Sequence, residues 1–516
     1  MITEDFTTHT DATTQRGAER SSSPDSLALV LAWCADAPER LGETLIVPAG
    51  DRAHWSIFGR GRATTGDAHP RIELSRCRPG WATEAPPLTN THLSRAQLRL
   101  RASDGGEAVV VERLGRSHLF RNDDKRPVER TELRAGDTLR IGHQYLFLTV
   151  RRPAWMAPVE GGLGSNEFAF GAPDRFGLVG ESPAIWALRA QICFVARQRD
   201  HVLVTGASGT GKELVARAIH SLTSSRPIVA RNAATFPDTL IDAELFGTAR
   251  NYPNVGMRER PGLIGEASGS SLFLDEFGEL PRAMQAHLLR VLDHGEYQRL
   301  GDEHVRQSQF RLIAATNRPL SMFQPDVLAR LALRIDVTDL NTRREDIPLL
   351  AQHLMRDILA RQVPPRGQGD AGASFQISMP LMDMLVRHHY TTNTRELRAM
   401  LLDALARAHG TKLEPPPPAG PGSRATEATP QEPSSGEESS RVLEPAQLQE
   451  ALDRRSGNIE LTWRDLGMSS RYALARLVAR HRLRAGRGWR PAAEAGAPGN
   501  GHAPRAPWPR ASHQDE

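Results

Sequence analysis

Three hydrophobic patterns follow one another along the chain. Between residues 26 and 152, short apolar runs (Leu27 to Trp33, Glu43 to Val47, Ala108 to Val111, Tyr145 to Val150) alternate with Gly, Pro and Asp turns. That spacing predicts an all-β sandwich. Between 176 and about 411, strand-like apolar runs alternate with helical patterns, which predicts an α/β unit. Between 443 and 484 the pattern is helical. Leu448, Ala451 and Leu452 give a first short helix an apolar face, and Gly457-Asn458 breaks it. Leu461 to Leu466 form a second helix, Gly467 to Ser470 a turn, and Arg471 to His481 a third.

The segments between these blocks lack a period. Residues 1–25 are polar, with six threonines in the first fourteen positions, and read as a disordered tail. Residues 153–175 read as a linker. Residues 412–442 hold four consecutive prolines, then Ser, Glu and Gly, and read as a flexible, partly extended linker. Residues 485–516, rich in Gly, Ala, Pro and Arg, read as a second tail.

Composition narrows the class. A 516-residue chain that is 39% hydrophobic and 24% charged has room for several packed domains. The three cysteines, Cys34, Cys77 and Cys193, are far apart with no metal-ligand spacing, which suggests a reducing compartment. No stretch has the length of a membrane span, and the N-terminus is unlike a signal peptide, so a cytoplasmic protein is expected. Net charge is only +4, so any nucleic-acid surface must be local. One such place exists: from Trp463 to Arg490 there are eight arginines and one acid, Asp465.

The strongest chemical signal is Gly206-Ala207-Ser208-Gly209-Thr210-Gly211-Lys212-Glu213. It follows the apolar run His201 to Thr205 and precedes a helical pattern. Strand, glycine loop and helix form the context of a phosphate-binding loop. Its N–H groups cradle phosphates and Lys212 reaches the outer ones. Glu213 stands where Ser or Thr usually supplies a hydroxyl to Mg²⁺. A second apolar strand, Ser271 to Asp275, ends in Asp275-Glu276. Asp275 is placed to hold Mg²⁺ and Glu276 to polarise the attacking water. A third, Ile313 to Ala315, ends in Thr316-Asn317, suited to sensing a γ-phosphate.

With these motifs the chain from about Leu178 to Leu405 resembles the AAA+ ATPase domain of sigma-54-dependent transcriptional activators. The resemblance runs through Val179-Gly-Glu-Ser182, the phosphate loop, Arg231-Asn232-Ala-Ala234, Glu244-Leu-Phe-Gly247 and Leu272 to Pro281. It continues through Leu288 to Leu292, Ala314 to Asn317, Arg344-Glu-Asp-Ile-Pro348 and Asn393-Thr-Arg-Glu-Leu397. It implies an α/β ATPase subdomain over 176–342, a helical lid over 343–411, ATP and Mg²⁺ as cofactors, and a ring, usually a hexamer. Asn232 matches the switch residue that pairs with the catalytic glutamate. Arg395 matches the lid arginine that contacts nucleotide. Arg330 matches one of two arginines that enter the neighbouring subunit's site. The second position is Gln324, so slow hydrolysis is expected. The family's Gly-Ala-Phe-Thr-Gly-Ala loop, which contacts the sigma-54 RNA polymerase holoenzyme, is replaced here by Asn251-Tyr-Pro-Asn-Val-Gly256.

Two further resemblances flank this block. Phe58-Gly-Arg60, Leu93-Ser-Arg-Ala-Gln97 and Leu133 to Gly142 resemble the forkhead-associated (FHA) domain, which implies phosphothreonine-peptide binding with Arg60 and Ser94 on the phosphate. Gln97 stands where that family has His, and the Asn that precedes its glycine is missing at Leu114-Gly115. The C-terminal unit resembles a Fis-type helix-turn-helix, with Ser469, Ser470, Arg471, Tyr472 and Arg476 facing DNA. The expected protein is multidomain: an all-β FHA-like sandwich, an α/β AAA+ P-loop ATPase with a small helical lid, and an all-α helix-turn-helix. Two functions remain open. One is an ATP-hydrolysing DNA-binding regulator with a phosphothreonine input. The other is a hydrolysis-impaired, nucleotide-gated DNA-binding regulator or scaffold that does not engage sigma-54.

Overall fold

The computed structural model describes residues 25–48, 54–62, 69–159, 164, 167–237, 239–361, 375–417 and 445–454. The chain divides into two units, Met1–Pro418 and Ala419–Glu516. In the second unit the described element is one helix, Pro445–Arg454, with Leu448 and Leu452 buried. The rest of the segment expected to form a helix-turn-helix, Ser469, Ser470, Arg471, Tyr472 and Arg476 included, lies outside the described residues. So do the Thr-rich tail and most of the 412–442 segment.

Among the described residues the first unit opens with the strands β1 (Asp25–Cys34), β2 (Thr44–Ile46), β3 (Ser56–Phe58), β4 (Ser75–Arg78), β5 (Trp81–Glu84), β6 (Leu98–Ala102), β7 (Val109–Arg113), β8 (Leu119–Arg121), β9 (Arg130–Leu133), β10 (Thr138–Ile141) and β11 (Tyr145–Pro153). They form a seven-stranded sheet, β5-β4-β2-β1-β11-β10-β8, facing a four-stranded one, β3-β6-β7-β9. Leu29, Leu31, Leu45, Leu98, Leu100, Val109, Val111, Leu139 and Phe147 fill the space between them.

β1 is unusual for an antiparallel strand. One sheet face normally meets water and the sequence alternates. Here seven residues in a row, Ser26 to Ala32, are buried. The second face is covered: Ala32, Leu146 and Leu148 pack with Leu349, Leu350, Leu381, Met382 and Leu385 from the helical region near residues 347–387.

The α/β region comprises α1 (Pro183–Ala196), β12 (Val202–Thr205), α2 (Lys212–Thr223), β13 (Val229–Asn232), α3 (Ile241–Phe246), α4 (Gly262–Glu266), β14 (Ser271–Asp275), α5 (Arg282–His294), the hairpin β15 (Glu296–Tyr297) and β16 (Arg306–Gln307), β17 (Arg311–Thr316), α6 (Pro325–Arg330) and β18 (Leu333–Asp336). Its central sheet is parallel, in the order β13-β14-β17-β12-β18. The inner strands β14, β17 and β12 are largely apolar because helices cover both faces, while the outer β13 and β18 carry Arg231 and Arg334. The register sets Thr205 beside Thr316 and Asp336, and Asn232 beside Asp275. The polar strand-end residues named from sequence therefore form one row at the carboxyl edge, where ligands bind in this architecture.

The lid consists of α7 (Ile347–Arg361), β19 (Gln376–Ile377), α8 (Met379–Arg387), α9 (Thr394–Ala406) and β20 (Lys412–Leu413). The described part of the 153–175 segment is tied down. Phe168 stacks on Trp186, Arg78 donates to the Phe168 and Ala169 carbonyls, and Asp174 is buried against Arg189. No helix among the described residues is long and apolar enough to cross a membrane.

Candidate nucleotide site

The chain leaves β12 at Thr205 and wraps through Gly206, Gly209 and Gly211 at φ of 148°, 77° and 105°. Those angles lie in the region that favours glycine. Gly209 has a second reason: a Cβ there would sit 2.2 Å from the Thr392 carbonyl oxygen. α2 then begins at Lys212, so its unpaired first-turn N–H groups face the loop. Thr210 closes the loop by donating its hydroxyl to the Ala207 carbonyl. Lys212 is buried, and its Nζ donates to the carbonyls of Gly206 (2.9 Å) and Ala207 (3.2 Å). Burial pulls its pKa below the ordinary lysine value, against the opposing pull of Glu276 and Asp275, while Arg395 adds to the lowering. Those four side chains share one electrostatic site.

Asp275 Oδ1 accepts the Glu276 N–H at 3.0 Å. Glu276 has a φ of 49°, a left-handed conformation that costs a non-glycine residue about 1 kcal/mol or more and that recurs at functional sites. Its Oε2 is buried with no hydrogen-bond partner among the described residues. Asn232, expected to pair with Glu276, instead uses Oδ1 to accept the Ala234 N–H at 2.9 Å and starts a 3-10 turn. Thr316 is fully buried and accepts the Arg318 N–H, and Asn317 beyond it is exposed. Glu213 pairs with Arg217 one helical turn on, at the surface.

The lid closes on this loop. Asn393 donates to the Ser208 carbonyl at 3.0 Å, and its Oδ1 accepts the Leu340 N–H at 2.7 Å. The Thr394 N–H donates to the Gly209 carbonyl, and Arg395 Nη1 to the Ser208 hydroxyl. Glu396 holds the preceding turn through the N–H groups of Thr391 and Thr392. Burial raises the Glu396 pKa, but hydrogen bonds from His388 and those backbone groups outweigh it and hold the carboxyl down at about 2. Two arrangements had no role in the sequence. Arg343, buried, points Nη2 at the Thr210 carbonyl at a long 3.4 Å. Asp346 accepts the Glu181 and Ser182 N–H groups and the Ser182 hydroxyl. Both stretches were visible as motifs, but nothing in their spacing says that they clasp each other.

Arg330 stands apart from these groups, at the end of α6, in an exposed ion pair with Asp293. Gln324 precedes α6 and donates Nε2 to the Arg282 carbonyl. The loop after α3 is a closed turn: Thr248 bridges to Arg260 and Leu300, and Asn251 binds Met257 and Gly256. It presents Val255, 94% exposed, at its tip.

In the sandwich, Gln97 is buried and ties three loops together. Its Oε1 accepts the Ser94 N–H, its Nε2 donates to the Ser117 carbonyl, and its carbonyl accepts the Gly115 N–H. The Arg60 N–H donates to the Ser94 carbonyl, and the buried Arg60 Nε has no partner among the described residues. Ser94 Oγ accepts the Arg116 N–H, which leaves its own proton free to donate.

Comparison with known proteins identifies the family. Residues 178–341 match the Sigma-54 interaction domain, and residues 341–416 match the AAA+ ATPase lid domain. Over 317 residues the chain is 36% identical to the transcriptional regulatory protein ZraR of Salmonella typhimurium, covering 59% of this chain and 68% of that protein. The chain belongs to the sigma-54-dependent transcriptional regulators. The ZraR of Escherichia coli strain K12 is 40% identical over 232 residues, so that the match spans 43% of this regulator and about half, 51%, of that one. The crystal structure of NtrX from Brucella abortus is 32% identical, covers 60% of this chain and 70% of that chain, and superposes with a TM-score of 0.42.

Proposed function

We propose that this regulator binds and hydrolyses ATP at the phosphate loop and uses the cycle to control transcription from a DNA site. The observation that carries the reading is the convergence of Lys212, Asp275, Glu276 and Arg395 at one edge of the sheet. The loop N–H groups and Lys212 hold the phosphates. Glu276, with a free buried oxygen, orients and polarises the attacking water. Arg395 and Thr316 contact the nucleotide from the lid and from the strand end. Asp275 fits Mg²⁺: it offers one carboxylate, and the remaining positions fall to phosphates and water. The ion would neutralise charge on the phosphates. Arg330 serves the neighbouring subunit's site in a ring. Steady-state phosphate release against protein concentration tests the reading: a steep rise supports assembly of the site between subunits, and a flat, near-zero rate refutes it.

The sandwich reads a phosphothreonine peptide through Arg60 and Ser94, and the C-terminal helices bind DNA through Ser469, Ser470, Arg471, Tyr472 and Arg476. Support for the first is the unpartnered Arg60 Nε beside a serine hydroxyl free to donate. One observation favours the second reading of the ATPase, a regulator that does not engage sigma-54. Its contact loop carries Pro253 and Asn254 where the resemblance expects Phe and Thr. ATP-dependent open-complex formation at a sigma-54 promoter decides: robust opening excludes that second reading.

A further inference from the structure

The sandwich contributes two fully buried cations to the ATPase. Arg78 of β4 makes a two-pronged ion pair with Glu181, Nε to Oε2 at 2.9 Å and Nη2 to Oε1 at 2.5 Å. The same guanidinium lies over the rings of Phe168 and Trp186 at 4.5 and 5.4 Å. Arg152 of β11 donates Nη1 to Glu345 Oε2 at 2.9 Å, and its Nε and Nη2 have no partner among the described residues. Glu181 and Glu345 lie 164 positions apart in sequence, yet each is next to a member of the same clasp. Glu181 precedes Ser182, and Glu345 precedes Asp346. The Asp346 carboxylate takes all three donors of that clasp, and Gly180 has no side chain because a Cβ there would sit 2.5 Å from it.

This clasp is where the lid leaves the α/β core. Arg343, two residues before Glu345, touches the phosphate loop at Thr210. A third sandwich contact lies farther along the lid: the Thr138 hydroxyl donates to the buried Asp383 at 2.6 Å. The sandwich thus grips the core through Glu181 and the lid through Glu345 and Asp383, on both sides of the joint.

We propose that Arg78 and Arg152 are positioning residues of the nucleotide site: by bracing Glu181 and Glu345 they set the core–lid angle that holds Arg343 at Thr210 and Arg395 at Ser208. The sandwich is then a working part of the ATPase and not a tethered module. A ligand that strains its sheet acts directly on the joint. The proposal rests on the nucleotide reading for its functional consequence, but its structural part stands without it.

The test uses the full chain and two readouts. The first is amide hydrogen exchange at 179–182 and 391–397, without nucleotide. Arg152→Met is expected to speed exchange in both segments together, since one joint holds both. The second is titration with a fluorescent ATP analogue. Arg152→Met is expected to weaken binding by roughly fivefold or more, within the usual range of coupling between sites, while turnover at saturation changes less. Arg152→Lys keeps a cation and is expected to recover most of the affinity. If Arg152→Met does not fold, Glu345→Gln, which replaces the carboxyl that Arg152 binds with an amide of the same shape, carries both readouts. Unchanged exchange at 391–397 with only a lowered melting temperature overturns the proposal. Faster exchange in Arg152→Met, together with a parent that binds no ATP, upholds the brace and refutes the nucleotide reading.

Discussion

Arg395 Nη1 donates to the Ser208 hydroxyl at 2.7 Å, linking the lid to the phosphate loop. In the proposed nucleotide reading this guanidinium would donate to a phosphate, and a charge-assisted hydrogen bond contributes about 1.5–3 kcal/mol. Arg395→Ala is expected to weaken ATP binding by roughly tenfold or more, measured by equilibrium titration. Unchanged affinity would remove it from the site.

Glu276 costs the fold both a left-handed backbone and a buried oxygen with no partner among the described residues. Glu276→Gln keeps the shape and removes the proposed base. Turnover is expected to fall by about 10² or more, with ATP affinity and melting temperature held or raised. A variant that turns over at the parental rate places the water-activating group elsewhere.

Arg330 is engaged by Asp293 at the surface of its own chain. Its ion pair there is solvent-exposed, so Arg330→Ala is expected to leave the melting temperature unchanged and to lower turnover only at concentrations where rings form. Gln324→Arg is expected to raise turnover under the same conditions, because an arginine reaching across a subunit boundary stabilises transition-state charge. Equal rates for Gln324→Arg and the parent at ring-forming concentration would show that the position does not face the neighbouring site.

Phosphopeptide binding is read most directly at Arg60. Arg60→Ala is expected to abolish measurable binding of a phosphothreonine peptide by calorimetry, and Ser94→Ala to weaken it, with the sandwich still folded. A parent with no affinity for any member of a phosphothreonine library would refute the role.

Burial pushes the Glu345 carboxyl up to about 7, against the opposing pull of Arg152 and with Asp346 adding to the rise. The folded chain therefore holds a proton that the unfolded chain releases near pH 4.5. The stabilisation from this group is complete below about 4.5 and is lost as pH rises through about 7. Glu396 works in the other direction: with its pKa held at about 2, its contribution is present above about 4.5 and is lost as pH falls toward 2. Melting temperature scanned from pH 5 to 8 is expected to decline less in Glu345→Gln than in the parent.

Much of the nucleotide site was legible because its chemistry is local. A glycine loop that ends in lysine between strand and helix marks a phosphate site, and apolar strands ending in Asp275-Glu276 and Thr316-Asn317 align once they join one parallel sheet. Asn232 lies on the same edge, beside Asp275, and its side chain caps a turn instead of meeting Glu276. The run Leu27 to Trp33 announced a strand. That β1 is buried on both faces, with the lid helices over the second, became visible only in the fold.

What the sequence determined by itself, then, is what depends on neighbouring residues: strand and helix periods, the phosphate loop, the acids at strand ends. The tertiary structure alone decided that the sandwich packs on the lid, that Arg152 finds Glu345 and Thr138 finds Asp383, and that Ser182 and Asp346 form one clasp. A chain rich in Arg and Glu offers many possible ion pairs of similar local character. Which of them loses its water is set by the shape of two apolar surfaces meeting, and no residue period encodes that.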